Sequence, residues 1–277
     1  MTTLHPKLKL NDRREIPSFG YGVWQIDNSE TAQAVATAIT IGYRMIDTAA
    51  MYGNEEGVGE AVRNSGVPRQ ELFIATKLWN DSHGFDGAIK AFDASMKRLK
   101  FDRLDLFMMH WPVPSLDRYV ETWRAMTRLR DDGRATSIGV CNFSAARLQR
   151  LADQTGVVPA INQIELHPRF QQAALRAFHA KHGIATQAWA PLGRGRILDD
   201  KTLRGLAAKH GRTPAQIVLR WHRENGIIAI PKSVNPDRMR ENFQTLDFEL
   251  DAEDLARMAA LDTADGRIGL DPETFPG

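Results

Sequence analysis

Tyr43-Arg44-Met45-Ile46-Asp47 is a short apolar run that ends on a carboxylate, and Tyr52 follows shortly after it. The pattern returns one repeat later in Leu72-Phe73-Ile74-Ala75-Thr76-Lys77, which ends on a lysine. It returns again in Leu104-Asp105-Leu106-Phe107-Met108-Met109-His110, which ends on a histidine. Parallel sheets bury such apolar strands and collect their chemistry at the carboxyl ends. Three successive runs ending in ionisable groups therefore predict a parallel sheet with Asp47, Tyr52, Lys77 and His110 along one edge.

Working outward, strand-like runs begin near Phe19, Tyr43, Leu72, Leu104, Thr136, Ala160, Ala185 and Ile227, after a short hairpin expected over 7–16. Amphipathic stretches lie between them, for example 29–41, 54–65 and 116–132. Thr213-Pro214-Ala215-Gln216 combines a capping box with proline at the first helical position. Asn235-Pro236 and Asp251 predict further helix starts, and Gly42, Gly133, Gly156, Gly183 and Gly211 predict helix ends. Eight βα units in 277 residues point to a (β/α)8 TIM barrel, with the chain read as one domain over 1–277. The runner-up is a doubly wound sheet with an appended lobe. It is weakened because no Gly-x-Gly-x-x-Gly opens the first βα turn. The last stretch, 262–277, has no clear period and is expected to fold as a C-terminal tail across one mouth of the barrel.

The bulk composition narrows the partners. A formal charge of +2, with 25% charged and 43% apolar residues, argues against nucleic acid and against an anionic membrane. The lone Cys141 excludes an internal disulfide and a cysteine-rich zinc site. The amino terminus lacks a signal-like apolar stretch, and nowhere do about 18 apolar residues run together. A cytoplasmic monomer is the default expectation, with no membrane partner.

The four residues have a shared chemical logic. Reducing a carbonyl needs a hydride donor and an acid for the developing alkoxide. Tyrosine can be that acid, although its ordinary pKa of about 10 is high for neutral pH. A nearby ammonium lowers that value, so Lys77 is expected to acidify Tyr52, with Asp47 holding the lysine in place. His110 is expected within reach of the same oxygen as a polarising donor or second acid. Taken singly, Asp47 could cap the Thr48-Ala49 turn, Tyr52 could be an exposed loop aromatic, Lys77 a solvated head group and His110 a core histidine. Their coincidence on consecutive strands favours a site.

Gly42-Tyr43-Arg44-Met45-Ile46-Asp47-Thr48-Ala49-Ala50-Met51-Tyr52-Gly53-Asn54-Glu55 resembles the aldo-keto reductase family. So do Thr76-Lys77-Leu78-Trp79, His110-Trp111-Pro112, Gly139-Val140-Cys141-Asn142-Phe143, Asn162-Gln163-Ile164-Glu165-Leu166-His167-Pro168 and Ile230-Pro231-Lys232-Ser233. The similarity covers most of the chain, from about Leu10 to Asp262, and within the family it is closest to the bacterial 2,5-diketo-D-gluconate reductases. The resemblance implies an (α/β)8 barrel, NADPH as hydride donor, and Tyr52 as general acid assisted by Asp47, Lys77 and His110. It further implies that Asn142 and Gln163 bond the nicotinamide carboxamide and that Trp189 stacks on the ring. Lys232, Ser233, Arg238 and Asn242 would gather at the adenosine 2′-phosphate and adenine; a helix start after Asn235 suits an anion there. The bland alternative makes Lys232 and Arg238 ordinary surface charges.

One departure from the family pattern is Cys141, where Ser or Thr is usual. A thiol is a weak hydrogen-bonding group, so the carboxamide contact loses redundancy rather than binding. A thiol beside the nicotinamide could sense oxidation; a buried, inert cysteine is the preferred reading. Trp24, Met51, Trp79 and Trp111 each trail a barrel strand and would form an aromatic substrate funnel, closed in relatives by the tail, here 268–275. The leading expectation is reduction of small carbonyls such as a 2,5-diketo-gluconate-like sugar acid, methylglyoxal or another dicarbonyl. The alternatives are an NADPH-binding redox sensor with little turnover, and a metal- or phosphate-dependent barrel lyase. The latter lacks any close His/Asp/Glu ligand pair.

Overall fold

The structure is a computed structural model that describes residues 6–277. A two-stranded antiparallel hairpin, β1 (Lys7–Lys9) and β2 (Glu15–Pro17), comes first. Eight parallel strands follow in chain order: β3 (Tyr21–Gly22), β4 (Met45–Asp47), β5 (Phe73–Leu78), β6 (Leu104–Met109), β7 (Ala135–Cys141), β8 (Ile161–Glu165), β9 (Ala185–Trp189) and β10 (Ile228–Ala229). The first and last of the eight meet: Phe19 bridges Ala229 in parallel, and the Gly20 and Gly22 amides donate to the Ala229 and Pro231 carbonyls at 2.9 and 3.1 Å. The sheet is therefore a closed ring, which excludes the doubly wound alternative. Gly22 permits this closure, because a Cβ there would lie 3.1 Å from the Ile230 carbonyl oxygen.

Side-chain alternation along the strands divides the core in two. Met45, Ala75, Leu106, Met108, Cys141, Ile161 and Ile228 fill the barrel interior, where Leu10 and Ile16 of the hairpin join them. The hairpin therefore plugs the amino-terminal end, with the Asn11 side chain donating to the Pro159 carbonyl at 3.0 Å. Residues of the other parity, among them Ile46, Ile74, Phe107, Ile138 and Val140, meet the surrounding helices. The layers of interior side chains leave only one end of the barrel open for chemistry.

The helix signals in the sequence are realised with local adjustments. Thr213 and Gln216 form the reciprocal capping box expected for helix Pro214–Glu224, and Asp251 forms one with Asp254. Gly156, Gly183 and Gly211 take left-handed conformations that end their helices. The helix expected from 116 begins instead at Tyr119. Asp117 adopts φ 46°, which no helix accommodates, and its carboxylate pairs with Arg150. Among the described residues no helix is long and apolar enough to cross a membrane.

The tail crosses the carboxyl-terminal mouth. Asp262 accepts from the Gln171 amide, Thr263 donates to the Arg169 carbonyl, and the Ile268 and Gly269 amides reach Glu165 at the end of β8. Farther along, Glu273 pairs with Arg147, Phe275 packs on Trp111 with ring centroids 4.6 Å apart, and the Pro276 carbonyl accepts from Ser115 at 3.1 Å.

Candidate active site

Four polar side chains meet at that mouth. Asp47 ends β4, Lys77 lies near the end of β5, His110 follows β6, and Tyr52 closes a 3-10 turn over Ala50–Tyr52. Lys77 Nζ donates to Asp47 Oδ1 at 2.5 Å and to the Thr48 carbonyl at 2.9 Å, with both side chains buried. The same nitrogen stands 5.2 Å from the centroid of the Tyr52 ring. The His110 ring sits edge-on to Tyr52 at 5.7 Å and to Trp79 at 5.1 Å. All four residues singled out in the sequence thus converge, and Asp47 serves the lysine rather than capping a turn.

The turn carrying Tyr52 is held from both sides. Asn54 precedes the helix Glu55–Asn64 as expected, but its side chain does not cap it; the buried amide donates to the Val23 and Ile26 carbonyls at 2.9 and 3.0 Å. Its Oδ1 accepts from the Thr48 hydroxyl at 2.7 Å within the loop after β4, so Asn54 ties that loop to the one after β3. Gly53, at φ 68°, supplies the left-handed step that reverses the chain directly after Tyr52.

The electrostatics correct one expectation. Burial pushes the Tyr52 phenol up to about 12; the Lys77 ammonium acts to lower it, and the Asp47 carboxylate acts to raise it. The lysine pulls in the anticipated direction, but desolvation of the phenolate outweighs it. Tyr52 accordingly keeps its proton at neutral pH. Burial alone would lower the Lys77 pKa, yet Asp47 and then Tyr52 outweigh that and hold the ammonium charged. His110 is pushed well below the ordinary histidine value by burial and then by Lys77, so its imidazole is neutral. It can polarise an oxygen through an N–H but brings no charge of its own.

A second set of side chains borders the first. Asn142, just past β7, donates from Nδ2 to the His110 carbonyl at 3.1 Å and accepts at Oδ1 from the Trp189 indole N–H at 2.8 Å. Gln163 on β8 donates from Nε2 to Asp47 Oδ2 at 2.9 Å and to Gln187 Oε1 at 2.7 Å. Both its N–H groups are thereby engaged, and among the described residues its Oε1 accepts no hydrogen bond. Beyond β10, Asn235 caps helix Pro236–Phe243 by accepting from the Asp237 and Arg238 amides at 2.9 and 3.0 Å. Arg238 thus stands in a first turn, and Asn242 is buried one turn later. The Ser233 carbonyl accepts from the Tyr21 hydroxyl at 2.6 Å. Lys232 and Arg238 are exposed, and neither forms an ion pair among the described residues. This donor set fits a dinucleotide with an additional phosphate: a free amide acceptor beside the tetrad, an indole, and two uncommitted cations at a helix start.

The expected funnel residues also sit at this mouth. Trp24 is half-buried beneath the Arg194 guanidinium, 4.8 Å from its ring centroid. Met51 is 43% exposed on the Tyr52 turn, Trp79 faces His110, and Trp111 backs onto Phe275 of the tail. Cys141 is fully buried in the interior, 3.9 Å from Met108 Sδ, and burial raises its thiol pKa, which makes it an inert apolar filler. Three roles escaped the sequence reading: that of Gln187, which supports Gln163; of Arg194, which covers Trp24; and of Glu165, which binds the tail. Strand alternation would have found the first and third. Gln187 precedes Trp189 by two positions on β9, and Glu165 follows Gln163 by two on β8.

A closed eight-stranded barrel with a buried lysine–carboxylate pair under a tyrosine, beside a carboxamide- and indole-lined cleft, defines an oxidoreductase-type site for a nicotinamide and a carbonyl. Residues 17–263 match the aldo/keto reductase family model, and the chain belongs to that family. It is 52% identical over 272 residues to methylglyoxal reductase DkgA of Escherichia coli, covering 98% of each chain. It is likewise 52% identical to an aldo-keto reductase of Mycolicibacterium smegmatis, again over 98% of each. Among solved structures, an aldo/keto reductase from Brucella melitensis superposes with a TM-score of 0.92 at 53% identity, covering 95% of this chain and 99% of that one. A Gox0644 mutant in complex with NADPH gives a TM-score of 0.95 at 48% identity over 99% of both chains.

Proposed function

We propose that this chain, read as a single barrel domain over 1–277, reduces small aldehydes and ketones with NADPH and that Tyr52 is the proton donor. Bound in the cleft, NADPH supplies the hydride. The single observation that carries the reading is the buried Lys77–Asp47 pair, 2.5 Å apart, under a tyrosine whose phenol is protonated at neutral pH. The neutral His110 imidazole and the Tyr52 hydroxyl would together hold the carbonyl oxygen, and Tyr52 would release its proton as that oxygen becomes an alkoxide. Lys77 stabilises the phenolate left behind, and Asp47 keeps the lysine ionised and oriented.

Gln163 Oε1 and the Asn142 amide would fix the rotation of the nicotinamide carboxamide, and Trp189 would cover the ring. Lys232, Ser233, Arg238 and Asn242 would hold the 2′-phosphate and adenine. Trp24, Met51, Trp79 and Trp111 would form the walls around the substrate. The likeness to the methylglyoxal reductase DkgA supports methylglyoxal and other small dicarbonyls, including 2,5-diketo sugar acids, as the substrate class. A cytoplasmic monomer accompanies this reading, supported by a lone, buried thiol and a small net charge.

The test follows NADPH absorbance with methylglyoxal for the native chain and for Tyr52→Phe. The variant is expected to bind NADPH as before and to lose about 10²- to 10⁴-fold in kcat. Turnover that survives in Tyr52→Phe overturns the assignment of the acid. Tight NADPH binding without turnover of any carbonyl by the native chain favours the redox-sensor alternative.

A further inference from the structure

We infer that Glu165 is a positioning residue whose buried carboxylate latches the C-terminal tail over the substrate mouth. The residue shares the interior face of β8 with Gln163 and is only 1% exposed. Its Oε1 accepts from the Ile268 amide at 2.6 Å and pairs with His167 Nε2 at 3.2 Å, while Oε2 accepts from the Gly269 amide at 2.8 Å. Bonds from amides to a carboxylate are roughly twice as strong as neutral ones. Burial would raise the Glu165 pKa, but the His167 bond and the two tail amides outweigh it, and the group stays ionised at neutral pH.

Gly269 completes the latch. A Cβ there would lie 2.4 Å from Trp189 Cη2 and 2.7 Å from Glu165 Oε2, so only a glycine backbone lies flat in this slot. Beyond it, the remaining polar anchors of the tail are partly or fully exposed: the Glu273–Arg147 pair and the Ser115 bond to the Pro276 carbonyl. Glu165 is the one buried polar anchor the tail has past Arg267 among the described residues. The segment it holds carries Phe275, which lies against Trp111 and builds the aromatic wall of the mouth. The consequence for substrate rests on the proposed reductase reading; the latch itself does not.

The test uses the full chain with Glu165→Gln and, separately, Gly269→Ala. In the first, an amide nitrogen replaces one acceptor and faces a tail N–H; in the second, the carboxylate is untouched and the slot is blocked. Trypsin cuts after Arg267, releasing 268–277 in one piece, and cleavage at the exposed Arg13–Arg14 turn serves as the internal reference. Proteolysis in this regime tracks the population of the open form, so both variants are expected to be cut after Arg267 about tenfold faster than the native chain, with the reference site unchanged. In Glu165→Gln, which leaves Trp189 undisturbed, KM for 4-nitrobenzaldehyde, large enough to meet Phe275 and Trp111, should rise about fivefold with kcat kept, and KM for methylglyoxal should move far less.

Unchanged cleavage after Arg267 in both variants overturns the latch. A freed tail with KM unchanged for both substrates overturns its role at the mouth. Should Glu165→Gln fail to fold, Gly269→Ala decides the latch alone by proteolysis. Should the native chain turn over no carbonyl, the reductase reading fails while the proteolysis still judges the latch.

Discussion

Replacing Lys77 by methionine tests the electrostatic core of the site most directly. The side chain is fully buried and of similar length, so packing is largely kept while the ammonium is lost. Asp47, 2% exposed, then keeps only the Gln163 amide as a side-chain partner. Leaving one member of a buried ion pair uncompensated costs about 3–5 kcal/mol, and Lys77→Met should lower the unfolding free energy in urea by that amount. The double variant Asp47→Asn/Lys77→Met removes both charges and should recover at least half of the loss. Activity should behave differently. The lysine is the main group acting to lower the Tyr52 pKa, so without it the phenol rises further and kcat falls about 10²-fold or more in the single and double variants alike. A single variant within about 0.5 kcal/mol of native stability would refute the buried-pair account. A double variant with native kcat would refute the lysine's part in proton donation.

Two further outcomes follow from the same geometry. The unpaired Lys232 and Arg238 are placed to read a phosphate, so Lys232→Ala/Arg238→Ala should weaken NADPH binding far more than NADH binding by fluorescence titration; equal losses would make them ordinary surface charges. In the pH dependence of kcat/KM, His110 is neutral until well below its ordinary value, and the Tyr52 proton is lost only as pH rises through about 12. The profile should stay flat from about pH 6 to 9, and a limb centred near 6.5 would show that His110 titrates in the working range.

The ring of eight strands and the four polar residues at its mouth were legible because each depends on local pattern: an apolar run, its period, and what ends it. Met45 and Asp47, or Gln163 and Glu165, alternate as any strand must, and the closed sheet places them on one face. The direction of the Tyr52 shift was not legible, because it is set by how much water the fold removes from the phenol, and that depends on loops far away in the chain. The same holds for Asn54. The helix Glu55–Asn64 does start after it, as the sequence reads, but the fold brings the Val23 and Ile26 carbonyls within reach, and the side chain serves them rather than capping that helix. Asp117 shows the reverse case, a helical pattern broken by one left-handed residue whose partner, Arg150, lies on another element. The tail carries no period, so its passage across the mouth was expected from the family resemblance alone; its bonds to Glu165 were not legible, and that residue gained a meaning only once Ile268 and Gly269 were seen against it.

The two sets of polar groups are parts of one construction. From Lys77 the bonds run through Asp47 to Gln163 and on to Gln187, which makes the acid's support and the expected carboxamide partner share a carboxylate. On the other side the His110 carbonyl holds Asn142, Asn142 holds the Trp189 indole, and that indole abuts Gly269 on the Glu165 carboxylate. A network in which these amides are already held by partners in the protein is rigid before any ligand arrives, and the groups left over are the ones a ligand can use: Gln163 Oε1, the second Asn142 amide hydrogen, the His110 imidazole, the Tyr52 hydroxyl and the face of Trp189. On the proposed reading, such preorganisation is what a buried ion pair, which adds little net stability, contributes at the mouth of this barrel. The pair costs desolvation that packing alone would avoid, and what it supplies in return is a fixed position for one proton.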